Sequence, residues 1–236
     1  MRQLQSEWAR LPKAALTIVT GIVFLLSLGP LALHGTLAVP YPSALDSQGD
    51  WMMTSGWYFA HLLGIAIPLL AALPVLVMES DILGTRRVLY ITYPITSLRL
   101  FLLRSGTCLF FSVSWLLLVE ISAKLIGLSL SVARDTLLVM PDVLLITFSM
   151  LASVEWTTDL WVGLGVLVVL TILGLGIRHL PFAHPRGDEV VLFAAHNQPW
   201  SRPLIANRLG VAIVAVGSAA LAVVGFEWHR RRGTYQ

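Results

Sequence analysis

Residues 136–154 read TLLVMPDVLLITFSMLASV, an apolar run interrupted near its start by Pro141 and Asp142. Crossing a hydrocarbon core about 30 Å thick takes on the order of 20 helical residues, so this run is only just long enough. The interruption leaves a re-entrant or interfacial element as the alternative. Whether the chain crosses a bilayer five times or six depends on which of the two it is.

Five further runs share its character: Ala14 to Leu33, Trp57 to Met78, Ser105 to Leu128, Leu160 to Ile177 and Leu209 to Trp228. All are continuously apolar rather than alternating, which is the pattern of helices and not of barrel strands. The chain of 236 residues is 56% hydrophobic and 12% charged, with a mean hydropathy of +0.79; an ordinary soluble domain is roughly 25% charged. The expectation is a single all-α integral membrane domain over residues 1–236, with six transmembrane helices. The first run sits where a signal peptide would. It is followed by HGTLAVPYP, with no clear small-residue cleavage site, and reads as a retained span. Cys108 is the only cysteine and lies in the third run, so an intrachain disulfide is impossible and a thiol metal site has no support.

The formal net charge of +3 comes almost wholly from arginine, since Lys13 and Lys124 are the only lysines. In a membrane protein such an excess reports orientation rather than nucleic-acid binding. Arg2, Arg10 and Lys13 precede the first run, whereas residues 34–56 hold no Lys or Arg. With six spans, that N-terminus, the connection bearing Arg86, Arg87, Arg99 and Arg104, and the tail HRRRGTYQ share one side, read as cytoplasmic. The connection 178–208 breaks the rule, because Arg178, Arg186, Arg202 and Arg208 fall on the outer side. Five spans would move that connection inward and the arginine tail outward, leaving a similar bias. Trp51 with Trp57, Trp8 with Trp228, and Trp156 with Trp161 sit near run ends, as interfacial aromatic belts do.

Between the second and third runs lies ESDILGTRRVLYITYPITSLRLFLLR, residues 79–104, which carries most of the central charge. Val88, Leu89, Tyr93, Ile95, Leu98 and Leu102 recur at roughly helical spacing with Arg86, Arg87 and Arg99 between them. Pro94 lacks an amide hydrogen and Gly84 frees the backbone ahead of it. Two short amphipathic helices lying along the cytoplasmic face are expected. An ordinary basic loop resting on lipid headgroups accounts for the same pattern.

The order of Glu79, Gly84, Thr85, Leu89, Tyr93, Pro94, Ile95, Thr96, Arg99 and Arg104 resembles the cytoplasmic coupling region of ABC type-2 exporter permeases. The start LQSEWARLPKAALTIVTG, residues 4–21, is similar to the short amphipathic N-terminal helix of that family. The close PLIANRLGVAIVAVGSAALAVVGFEWHRRRG, residues 203–233, resembles its last span. The resemblance implies six spans with both termini inside and a multi-pass protein of the bacterial cytoplasmic membrane. It also implies a permease subunit that exports a hydrophobic or amphipathic substrate, such as a lipid, drug or peptide, by alternating access. Two permease chains, identical or different, would pair. Each would dock its coupling helix, with Glu79, Gly84, Thr85, Arg86, Arg87, Leu89, Tyr93, Pro94 and Arg99, onto a separate ATPase subunit carrying ATP and magnesium. The basic connection 178–208 departs from the family pattern.

This chain has no G-x-x-x-x-G-K-[ST] loop to cradle phosphates, so the ATPase is expected on another polypeptide. A Gly-x-Ser-x-Gly elbow and a His-Glu-x-x-His motif are also missing, which argues against an enzyme and names no catalytic residue. The alternatives are a non-transporting scaffold or immunity subunit of an ABC assembly, and an intramembrane enzyme such as a protease or lipid-modifying enzyme. Glu120 and Lys124 are four apart and can pair on one helix face near the outer boundary. His179, His184, Asp188, Glu189 and His196 lack metal-ligand spacing, and His61 reads as a packing residue. Gly163, Gly165, Gly174, Gly176, Gly210, Gly217 and Gly225 are expected to let helices approach closely. Pro68 and Pro74 predict a bent second span.

Overall fold

The computed structural model describes residues 13–37, 62–83, 97–125, 132–176 and 202–232. Among these the chain is helical, with no strand. The helices are α1 (Lys13–Leu37), a π-helical turn π1 (Leu62–Ala66), α2 (Ile67–Leu70), α3 (Ala72–Leu83), α4 (Ser97–Leu125), α5 (Val132–Thr157), α6 (Leu160–Gly176) and α7 (Arg202–Arg232). Four segments are long and apolar enough to cross a membrane: Leu62–Glu79, Phe101–Leu125, Arg134–Thr157 and Leu204–Trp228. The apolar parts of α1 and α6 described here are shorter, Leu16–Leu28 and Leu160–Gly174.

The doubtful run around Pro141 is therefore an unbroken helix of 26 residues, about 39 Å long at 1.5 Å per residue. It is also the hub of the packing. Val139 and Val143 join Val23, Leu63, Ile67, Trp115 and Val119 in one core cluster. Ile146, Met150 and Leu151 join Ala72, Val75, Cys108 and Ala222 in a second.

Pro68 and Pro74 interrupt the helix that holds them. Neither has an amide hydrogen for the carbonyl four residues back, Gly64 and Leu70 respectively, and the ring crowds that carbonyl. The π turn at Leu62–Ala66 and the break at Ala71 fall beside these two sites. Ala71 N–H still donates to the Ile67 carbonyl at 3.0 Å, so the chain continues in the same direction.

Helix directions follow from which residues meet. Trp115 Nε1 donates to Thr20 Oγ1 at 2.9 Å and Ser122 Oγ to Ser27 Oγ at 3.1 Å, so α1 and α4 run parallel. Cys108 meets Met78 while Trp115 and Val119 pack with Leu63 and Ile67, so α3 and its preceding turns run against α4. Arg104 meets Glu155, and Val119 clusters with Val139 and Val143, so α5 is antiparallel to α4. Arg208 meets Asp142, Ser149 meets Ser218, and Trp156 meets Trp228, so α5 and α7 are parallel. α6 returns along α5 from a tight turn, with Gly163 against Val154.

That turn is built from two residues, Thr158 and Asp159. Thr158 has φ 59° and donates its amide to the Val154 carbonyl at 2.7 Å, closing α5. Asp159 Oδ1 accepts the Trp161 amide at 2.9 Å and caps α6, the usual service of an Asp at a helix start.

Two expectations are corrected here. Ser97–Leu125 is one helix, so Leu98, Arg99 and Leu102 form the first turns of α4 rather than a separate surface helix after Pro94. Of the glycines, Gly163 and Gly225 do allow close approach, since an added Cβ would lie 2.9 Å from Val154 Cγ2 and from the Trp156 ring. Among the described residues, nothing lies within 4 Å of a Cβ added at Gly165, Gly210 or Gly217.

Candidate functional site

Glu79 ends the long apolar segment Leu62–Glu79, and Arg104 lies two turns into α4. These positions flank the connection 84–96, and the antiparallel packing of α3 on α4 brings them together. Arg104 Nη1 stands 3.4 Å from Glu79 Oε1. The same nitrogen donates a close hydrogen bond to Glu155 Oε1, near the end of α5. All three side chains are buried, and the Phe226 ring of α7 lies 5.4 Å from the guanidinium carbon. A small cavity beside the cluster, about 10 Å³, is lined by Phe101, Arg104, Leu151, Glu155, Ala222 and Phe226. That is room for about one water molecule.

Burying ions away from water costs several kcal/mol each, and close opposite charges offset that cost only with good geometry. One guanidinium hydrogen-bonds the carboxylate of Glu155 and stands within ion-pair distance of Glu79, so its charge ties three helices together. The cluster lies one residue from Trp156, which packs 6.5 Å from Trp228 and donates Nε1–H to the Leu221 carbonyl at 2.9 Å. Trp161 is 78% exposed at the same end. Arg104 is thus enclosed by the helix packing, at the end of the bundle where these indole rings stand.

A second buried pair stands in the first half of α5, just after Pro141. Arg208 Nη1 donates to Asp142 Oδ2 at 2.7 Å and to the Leu138 carbonyl at 3.1 Å, while Nη2 donates to Asn207 Oδ1 at 3.0 Å. Asp135 and Glu120 are buried as well. Arg208, counted by sequence among the arginines of the connection 178–208, is neutralised inside the fold by Asp142.

Of the residues expected in the coupling region, Glu79 and Arg99 are described: Glu79 is buried in the cluster and Arg99 is exposed on the first turn of α4. Gly84, Thr85, Arg86, Arg87, Leu89, Tyr93 and Pro94 lie outside the described residues. Glu120 is fully buried, whereas Lys124 one turn on is exposed. His61 and the set His179, His184, Asp188, Glu189 and His196 also lie outside. Among the described residues no three His, Cys, Asp or Glu side chains gather as metal ligands would.

Sequence reasoning passed over Glu155 and the pairing of Asp142 with Arg208. The available signal was that each is an ionisable residue within or beside an apolar run, where such groups are costly and so need partners. Comparison with known families, curated proteins and solved structures finds no match for this chain.

Proposed function

We propose that this chain is the membrane-spanning permease subunit of an ATP-driven exporter, with the connection 84–96 as the segment gripped by a separate ATPase. The observation that carries this reading is the clasp at the root of that connection. Glu79 and Arg104 stand on its two flanks 3.4 Å apart, and Arg104 is bonded on to Glu155 of the central helix. A push on 84–96 would reach α5 through buried ionic contacts instead of being lost in a loose loop.

The helix directions support six spans with alternating sense. In that arrangement the start of α1, the connection 84–96, the turn 157–160 and the end of α7 lie on one side, the side where basic residues gather, and that side is the cytoplasm. A second permease chain would complete the path, the lipid bilayer would surround it, and ATP with magnesium would be bound by the ATPase partner.

The test is to purify the chain with whatever ATPase is encoded beside it, rebuild both in vesicles and follow ATP-dependent movement of labelled lipids, drugs and peptides. Leu89→Asp combined with Tyr93→Asp should abolish transport and leave the chain in the membrane. Co-purification without movement of any substrate would favour a scaffold subunit instead. Normal transport by the double variant would defeat the coupling role of 84–96.

A further inference from the structure

The described helices fall into two groups of different internal bonding. In the first, α1 to α4, Thr20 joins Trp115, Ser27 joins Ser122, and Glu79 joins Arg104. In the second, α5 to α7, Asp142 joins Arg208, Ser149 joins Ser218, Trp156 joins the Leu221 carbonyl, and Gly225 seats the Trp156 ring. The seam between the groups is lined mainly by apolar side chains, such as Phe101 against Phe148 with ring centroids 5.8 Å apart. Apolar side chains can slide past one another without stranding polar groups. Two contacts of Arg104 cross this seam: its charged bond to Glu155 and the packing of its guanidinium 5.4 Å from the centre of the Phe226 ring, an uncharged group that strands no ion when it parts.

From this arrangement we infer that the two groups move as separate bodies and that Arg104 is the joint between them, keeping Glu79 while it makes and breaks its bond to Glu155. The inference rests on the permease reading only for its purpose, not for its geometry. Its physical basis is the fate of the charges when the bodies part. Breaking a buried pair is ordinarily prohibitive because it strands an unpaired ion. Here Glu79 belongs to the same body as Arg104 and remains beside the guanidinium in both states. Glu155 sits next to Trp156 at the end of the bundle, where water can take over its solvation. The cavity at this point is lined from both bodies, by Phe101 and Arg104 on one and by Leu151, Glu155, Ala222 and Phe226 on the other. A small parting therefore admits water at the bond that must break.

The two acids then have opposite effects. Glu155 favours the joined state, and Glu79 makes the parted state tolerable. A purely structural role would give both replacements the same sign, since each removes one partner of a buried arginine.

The experiment uses the full chain in lipid nanodiscs without any ATPase, carrying Cys108→Ser and spin labels at Leu98→Cys on α4 and Trp161→Cys on α6, both exposed positions. Pulsed dipolar spectroscopy then reads the distance distribution across the seam. Glu155→Gln should raise the long-distance population roughly tenfold, the shift expected from losing a charge-assisted hydrogen bond. Glu79→Gln should lower that population below the parent's. If Glu155→Gln fails to insert, Glu155→Asp, which keeps the charge and shortens the reach, should shift the distribution the same way. No change in either variant, or a change of the same sign in both, overturns the joint. Because no partner is present, this result stands apart from failure of the exporter reading, which would appear as a missing ATPase in the co-purification.

Discussion

Asp142 meets Arg208 at 2.7 Å, one residue past Pro141, and the same guanidinium nitrogen reaches the Leu138 carbonyl at 3.1 Å. Pro141 offers no amide hydrogen to the helix, and a proline in a helix interior bends the axis and loosens nearby carbonyls. Arg208 thus supplies a donor where α5 is locally weakened, and it does so from a helix that runs parallel alongside. The pair is buried on both sides. Arg208→Ala should destabilise the chain by about 3–5 kcal/mol, because Asp142 is left as a buried charge without its cation. Thermal unfolding in detergent measures this. Replacing both residues by leucine should recover most of the loss, and a double variant no better than Arg208→Ala would show that the pair does more than balance its own charges.

Glu227 and Arg231 form the opposite case. They pair at 3.0 Å one turn apart on α7, but the arginine side chain is 78% exposed. Solvent screens such a pair, so Glu227→Gln should change stability by less than about 0.5 kcal/mol. A larger shift in the same unfolding assay would mean that this end of α7 is shielded from water in the membrane.

The glycines of α7 separate in the same measurement. A Cβ at Gly225 would stand 2.9 Å from Trp156 ring atoms, and that ring is held by its bond to the Leu221 carbonyl. Gly225→Ala should cost about 1–3 kcal/mol through overpacking. At Gly217 none of the described residues lies within 4 Å of an added Cβ, and Gly217→Ala should be neutral or stabilise by up to about 1 kcal/mol through helix propensity. Should Gly217→Ala instead destabilise or alter the oligomeric state, its open face is covered by a partner.

Trp115 is fully buried and donates to Thr20 Oγ1 at 2.9 Å across the parallel α1–α4 contact. Trp115→Phe keeps most of the ring volume and removes that donor, with an expected loss of about 1 kcal/mol for the bond, beyond a small packing defect. Trp115→Ala should lose about 3–5 kcal/mol. Equal losses in the two variants would show that the hydrogen bond, and not the packed ring, carries the contact.

Thr158 holds φ 59° in the turn between α5 and α6, a conformation uncommon for a β-branched residue. Thr158→Gly should stabilise the turn by up to about 1 kcal/mol, net of the greater freedom of glycine in the unfolded chain. A melting temperature at or below the parent's would indicate that the turn is held by contacts of the threonine side chain.

Much of this architecture is legible residue by residue. The helix around Pro141 follows from an apolar run long enough to absorb one proline, and the interruption at Pro68 and Pro74 follows from their missing amide hydrogens. The start of α4 is less legible: Leu98 and Leu102 have helical spacing, but nothing local says that this helix runs unbroken into the third apolar run. Nor does any local pattern bring Arg104 to Glu79 and Glu155, residues 25 before and 51 after it in the chain. The roles of the glycines were equally hidden, since Gly217 and Gly225 look alike in sequence and differ only in what stands opposite them.

Hydropathy and helix-breaking chemistry are properties of a segment taken alone, which is why the order of residues by itself determined an all-helical chain with apolar runs of membrane length and with basic residues gathered at particular ends. Partnering of buried charges is a property of which helix faces meet. Only the tertiary structure could join Arg104 to Glu155 and Asp142 to Arg208, pairs 51 and 66 residues apart, because a low-dielectric interior makes each ion depend on a counter-charge that no local pattern names.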